Sequence, residues 1–353
     1  MGIKIIGSGS CIPELIQDNS TFINNSFYNT DGSDIESTNS EIIEKFEKIT
    51  GIRERRYANN NLNTSDLGYI AAKNAIQDAN IDPETIDYII VAHNFGNVNY
   101  KSDEIDVFPG IGVRIKNLLK IKNPKCVAYD ILFGCPGWLE AVIQAKSFIK
   151  SGMAKRCLAI GADTLSRVVD EYDRDSMIFA DGAGATILED SELESGILSH
   201  KTESYTEDEL YYLFYGKSNK ETPNNKDTRY IKMNGRKVYE FALTNVPNAI
   251  KMCIDEAGVN ISDVKKILLH QANAKMDTAM GKRLFKLYDM EFNENIMPLT
   301  VKYLGNSSVA TIPTMFDLIR RKKLDNHVFS SDDIVIFASV GAGMHINAMV
   351  YQY

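Results

Sequence analysis

The apolar positions of this chain fall into two kinds of pattern. DYIIVA (Asp87–Ala92), RCLAIG (Arg156–Gly161), KKILLH (Lys265–His270) and DIVIFASV (Asp333–Val340) are apolar without alternation, which predicts strands buried on both faces. The opening MGIKIIGSGSCIPEL reads as a further strand and a turn, its apolar stretch too short for an export signal. Between such runs the spacing becomes helical. Thr64 or Ser65 is placed to cap a helix with Leu67, Ile70, Ala71 and Ala75 on one stripe. A later stripe runs through Val238, Phe241, Ala249 and Cys253, with Gly258 placed to end it and Pro247 predicting a kink. The uncharged run Ile334–Tyr353 contains Gly341, Gly343 and Asn347, so it reads as two strands about a tight turn and not as a membrane span. Strands alternating with helices predict an α/β protein. The most natural division lies near residue 195, giving halves 1–195 and 196–353 of similar content, with no short-period repeat.

Composition narrows the class. The chain has 353 residues, 44% hydrophobic and 24% charged, which is chain enough for about two structural units of roughly 100–200 residues. A net charge of −8 disfavours binding nucleic acid through overall charge. Five cysteines (Cys11, Cys126, Cys135, Cys157, Cys253) are scattered without a CxxC pair, which argues for reduced thiols in a cytoplasmic setting and against zinc. Gly110-Ile111-Gly112 lacks a third glycine, and Asp181–Ala185 (DGAGA) leads into a strand; neither fits a phosphate loop. No metal and no nucleotide cofactor is expected.

The most informative segment is VAYDILFGCPGWLEAVIQAKSFIKSG (Val127–Gly152). It predicts a strand, a turn at Phe133-Gly134, and an amphipathic helix with Pro136 at its first position. Cys135 then sits at the helix N-terminus, whose dipole stabilises an anion by about 0.3–1 kcal/mol. That makes Cys135 a candidate thiolate nucleophile; the competing reading is a packed thiol, which is preferred for the other four cysteines. A nucleophile needs a partner. His270 ends an apolar strand, where ligands gather in parallel sheets, and His93 in AHNFGN is its rival. Asn306, in YLGNSSVATIP, is either a third polar group or a turn residue.

With these residues in hand the chain resembles the 3-oxoacyl-acyl-carrier-protein synthase III family of thiolase-like condensing enzymes. The resemblance rests on TGIRERRYA (Thr50–Ala58), Phe108-Pro109, GCPGW around Cys135 and IGADTLSRVVD (Ile160–Asp170). DGAGA, MNGRKVYEF (Met233–Phe241), HQAN (His270–Asn273), GNSSVATIP (Gly305–Pro313) and SVGAG (Ser339–Gly343) continue it. It implies a five-layered thiolase-like fold with pseudo-duplicated halves, a homodimer, and an acyl carrier protein as partner. It further implies that Cys135 takes an acyl group from a thioester, with the amides of Cys135 and Ala342 as oxyanion hole. His270 and Asn306 would hold the malonyl thioester oxygen as decarboxylation makes an enolate. Phe108 would reach the partner's acyl pocket, Arg53 and Arg174 would contact coenzyme A, and Lys275, Lys282 and Arg283 would receive the acidic carrier.

The chain departs from the family pattern at several points. Lys45, beside Phe46, stands where the family has an adenine-stacking tryptophan, and Trp138 is the single tryptophan of the chain. Pro136 replaces a small residue, and Glu240 replaces a basic docking position. These departures point to a divergent member with a carrier-borne donor, such as a dialkylresorcinol-forming ketosynthase. The alternatives are a ketosynthase joining two longer acyl chains without malonate, a non-decarboxylating thioester acyltransferase, or a silent scaffold. A hydroxymethylglutaryl-type synthase would need a glutamate base in the first half, and Glu104 and Glu140 lie in no matching motif.

Overall fold

The computed structural model describes residues 2–102, 104–191, 195–223 and 225–353. Its continuous apolar runs become the strands of two mixed sheets. In the first sheet these are β1 (Gly2–Cys11), β2 (Tyr88–Ala92), β3 (Val127–Ile131), β4 (Arg156–Thr164) and β5 (Asp181–Ser191), in the order β1-β5-β4-β2-β3. The second holds β6 (Gly196–Ser204), β7 (Val264–Leu269), β8 (Ile334–Gly341) and β9 (His345–Gln352), in the order β6-β9-β8-β7. In each sheet the first strand lies antiparallel to the last, the last antiparallel to the one before it, and that one parallel to the second. The first sheet adds β3, parallel to β2, at its edge.

The strands are apolar on both faces because both faces are covered. The main helices are α1 (Asn39–Thr50), α2 (Thr64–Ala79), α3 (Gly137–Lys150), α4 (Gly235–Ala257), α5 (Ala274–Lys286) and α6 (Thr311–Arg320). Ile89, Val91, Leu158 and Ile160 of the first sheet pack outward with Leu67, Ala71 and Ala75 of α2. Ile90 and Ala159 turn the other way, into a central core with Trp138 and Val142 of α3 and Met315 and Phe316 of α6. Leu268, Phe337 and Tyr351 of the second sheet close that core from the far side. Ile267, Ile336 and Ile346 face outward onto α4 and α5. The result is five layers, helix–sheet–helix–sheet–helix, with α3 and α6 as the middle one.

Local chemistry places several element ends. Asn63, not Thr64 or Ser65, caps α2; its backbone N–H donates to Asp66 Oδ2 at 2.8 Å, while the Thr64 hydroxyl is buried against that of Thr164. Gly258 ends α4 in the left-handed region, φ 66°. α4 runs through Pro247, the position where a kink is expected. Proline leaves the carbonyl four residues earlier, that of Leu243, without its helical donor, and Arg283 Nη1 from α5 supplies one at 3.0 Å. Among the described residues no helix is long and apolar enough to cross a membrane.

Candidate active site

Cys135 stands in the turn between β3 and α3, where the loops after the second-sheet strands reach it. The helix begins at Gly137, so Pro136 is its N-cap and not its first residue. Gly134 adopts φ 62°, and a Cβ there would lie 2.6 Å from the Ala342 backbone nitrogen. A Cβ on Gly341 would lie 2.4 Å from the Cys135 nitrogen. Only glycines allow the two backbone segments this close, and they set the amides of Cys135 and Ala342 side by side.

His270 follows the last residue of β7 and is fixed by its own N–H, which donates to the Ala338 carbonyl at 2.9 Å. Asn306 is pinned by two backbone bonds, donating to Ile178 O at 3.0 Å and accepting from Ala180 N at 2.8 Å. Its Oδ1 accepts the Ser308 amide at 2.8 Å, which leaves Nδ2 as the amide group offered to the cavity. Cys135, His270, Asn306 and Ala342 line one cavity of about 350 Å³. Its remaining wall is largely apolar, with Phe95, Phe133, Phe179, Leu213 and Phe214 among the lining residues.

The electrostatics of this pocket are those of a dry site. Burial pushes the Cys135 thiol up to about 12, the reverse of what the helix dipole alone predicts. Desolvation by the apolar cavity wall outweighs a dipole effect of about 1 kcal/mol, although Cys135 itself is only part-buried. Burial likewise drives the His270 imidazole down to about 4, so it is neutral at pH 7, and its Nδ1 has no partner among the described residues. Ser308, which no motif singles out, sits beside Cys135, its Oγ donating to Cys135 Sγ at 3.3 Å. The signal was present in GNSSVATIP, but no spacing rule says which serine turns inward. Ser308 is held at φ 52°, a value uncommon for a residue with a side chain.

The rival histidine is occupied elsewhere. His93 Nδ1 accepts the Gly96 N–H at 3.0 Å, and its Nε2 faces Asp130 Oδ2 at 3.1 Å. Asp130 in turn accepts the amides of Ile111 and Gly112, both at 2.6 Å, so the Gly110–Gly112 turn is filled by a carboxylate of the chain itself. His345 stacks on Phe133 with ring centroids 4.0 Å apart. Cys126, Cys157 and Cys253 are buried within the hydrophobic clusters, and Cys11 is half-buried against one of them.

A second cavity, about 740 Å³, opens to the surface and shares Met233, Val238, Ala272 and Met276 with the first. Arg174 and Lys45 line its mouth, with Asp175, Arg236 and Glu240. Arg53 does not join Arg174 there. The chain turns at Gly51 (φ 76°), and Arg53 projects into a neighbouring groove, where it pairs with Glu47 at 2.9 Å; Ile49 lines the mouth instead. Lys275 and Lys282 flank a separate surface groove on α5, and Lys282 pairs with Glu294 at 2.9 Å. Arg283 donates from Nη1 to the Leu243 carbonyl at 3.0 Å, and the residue itself is exposed. Phe108 is 89% exposed and does not line this chain's own cavity.

Comparison with known proteins agrees with this architecture. Residues 129–206 match the family described as 3-oxoacyl-[acyl-carrier-protein] synthase III, and residues 254–353 match its C-terminal part. The beta-ketoacyl-[acyl-carrier-protein] synthase III of Staphylococcus haemolyticus is 33% identical over 356 residues, covering 100% of this chain and 99% of that protein. The crystal structure of 3-oxoacyl-[acyl-carrier-protein] synthase III from Aquifex aeolicus superposes with a TM-score of 0.80 at 28% identity, covering 100% of both chains. The priming beta-ketosynthase of the R1128 polyketide pathway shares the fold, with a TM-score of 0.81 at 23% identity, over 99% of this chain and 96% of that one.

Proposed function

The chain belongs to the 3-oxoacyl-[acyl-carrier-protein] synthase III family, and from that premise we propose a two-stage condensation for the site. Cys135 Sγ attacks an acyl thioester, expels the donor thiol and becomes an acyl-cysteine. A malonyl thioester on acyl carrier protein then loses carbon dioxide, and the resulting enolate attacks the acyl-cysteine to give a 3-oxoacyl product. The observation that carries this reading is one apolar cavity holding a thiol, two close backbone amides, and a neutral imidazole and amide. Charge develops first on the acyl oxygen, where the amides of Cys135 and Ala342 stand, and later on the extender oxygen, where His270 and Asn306 stand. Donors fixed in a dry pocket stabilise such charge without reorganising. Incubating the protein with an acyl thioester and malonyl-carrier protein should release carbon dioxide and form a 3-oxoacyl thioester in equal amounts. Acyl exchange without carbon dioxide would instead mark a simple acyltransferase.

A carrier-borne donor is favoured over coenzyme A by the tunnel mouth. Glu41, Asp175 and Glu240 there match Lys45, Arg174 and Arg236 in number, so no excess positive charge awaits a nucleotide polyphosphate. The carrier would dock over Lys275 and Lys282. A homodimer is supported by β3, an edge strand with Val127 exposed and with Leu132, just beyond its end, at 67% exposure, and by the bare Phe108 ring. The reading of 1–195 and 196–353 as pseudo-duplicated halves is supported by their common strand order.

A further inference from the structure

The site has to lose a proton before it can react, and the thiol lies in a pocket that opposes ionisation. A buried carboxylate, Asp163, lies near it at the end of β4, 1% exposed. Its two oxygens hold Asn94: Oδ1 accepts the Asn94 backbone N–H at 2.8 Å and Oδ2 accepts Nδ2–H at 2.6 Å. Asn94 Nδ2 also donates to Ser308 Oγ at 2.9 Å, and Ser308 Oγ donates to Cys135 Sγ at 3.3 Å. A carboxylate so placed is a liability if it only stays charged, because it repels the thiolate the reaction needs.

We propose that the Ser308 hydroxyl relays the Cys135 thiol proton to the Asp163 carboxylate as the sulfur attacks its acyl thioester. The Ser308 hydroxyl hydrogen turns from sulfur toward Asp163; the S–H bond then breaks as a new Ser308 O–H forms, and the original Ser308 proton passes to Asp163. The new C–S bond forms, the donor C–S bond breaks, and the departing thiolate recovers the proton from Asp163 through the same hydroxyl. The single negative charge of the pocket thus moves from carboxylate to sulfur; no second charge is buried, and none must be brought in from water.

Three further observations support the relay. Burial pushes the Asp163 carboxyl up to about 6, against hydrogen bonds from Asn94 and Ser308 and the nearby His93, so it is the better proton acceptor of the pocket; His270 lies near 4. Asn94 spends both Nδ2 hydrogens, on Asp163 and on Ser308, and so fixes the hydroxyl oxygen between the two ends of the relay. The strained Ser308 backbone is held by Asn306 Oδ1, which ties the relay to the opposite wall.

The inference rests on Cys135 being the acylated residue, and its test separates the two. Rapid-quench acylation by acetyl- and hexanoyl-pantetheine, read by intact mass, is compared across pH for the parent, Ser308→Ala, Asp163→Asn and Cys135→Ala. Ser308→Ala and Asp163→Asn should acylate roughly 10²-fold more slowly at pH 7, the lower range for a lost proton-transfer group, with the deficit closing at high pH where hydroxide ionises the thiol. Asp163→Asn acylating at the parental rate or faster would overturn the relay, since the carboxylate would then only repel the thiolate. If Asp163→Asn does not fold, Ser308→Ala decides: an unchanged rate overturns the relay. An acyl adduct on Cys135→Ala would overturn the nucleophile reading itself, whatever the other variants do.

Discussion

The wall of the cavity built from the first sheet and the wall built from the second differ in how their polar groups are committed. On the first side, Ser308 Oγ donates to Cys135 Sγ, and Asn94 spends its amide hydrogens on Ser308 Oγ and Asp163 Oδ2. That side contains the groups able to change charge. On the second side, His270 is neutral with an unpartnered ring nitrogen, and Asn306 spends its oxygen on Ser308 and keeps its amide nitrogen for the cavity. That side can receive charge but does not ionise. The contrast fits a reaction with two halves, one needing a thiolate and one needing a neutral donor pair. Ser308 belongs to the second half of the chain but serves the first wall, which couples them.

Substitutions that break one wall at a time should separate the two stages. Cys135→Ala has the largest expected effect: acyl-enzyme formation and condensation both vanish, read by intact mass and product analysis. His270→Ala and Asn306→Ala should still acylate but lose roughly 10²–10³-fold in malonyl decarboxylation, as for a missing oxyanion donor. Asn306→Ala should also slow acylation, because it frees Ser308; His270→Ala should not. Normal decarboxylation by either variant would remove its assigned role.

The pH profiles should differ as well. With the acyl group preloaded, condensation should be flat from pH 8 to 5 and fall only near pH 4, where the folded-state imidazole takes a proton. Acylation should instead rise with pH, as the buried thiol requires. The same imidazole affects stability with a defined sign. Its pKa is about 6.5 unfolded and about 4 folded, so the unfolded state binds the proton first. The contribution of His270 to stability is whole above pH 6.5 and erodes as pH falls toward 4, which urea midpoints of parent and His270→Ala would register. The smallest effect is expected away from both walls. Arg283→Ala should cost about 1–2 kcal/mol by orphaning the Leu243 carbonyl, with acylation unchanged. A loss confined to carrier-dependent turnover would mark Arg283 as a docking residue instead.

Much of this was legible in the chain. Continuous apolar runs identify strands because strands covered on both faces tolerate them, and all four runs became sheet strands, three with ends shifted by one residue and Arg156–Gly161 extended to Thr164. The strand–glycine–helix grammar around Cys135 located the candidate nucleophile. Proline's local cost can be met from outside the helix. Pro247 sits in an unbroken helix because Arg283, distant in sequence, supplies the missing donor. Pro136 falls one position before the helix. The family resemblance groups Arg53 with Arg174, yet after the turn at Gly51 Arg53 lines a neighbouring groove.

By itself, then, the sequence determined the main strands and helices, the turn that presents Cys135, and which polar residue types would be available to it. These follow from local periodicity and from backbone sterics, which act over a few residues. Tertiary structure decided which groups meet and in what protonation state. His93 and His270 both follow apolar strands, but one is consumed by Asp130 and the other left neutral in the cavity. The helix dipole and the burial of Cys135 act in opposite directions, and burial prevails. Desolvation depends on everything that encloses a group, and here the enclosing residues come from both halves of the chain.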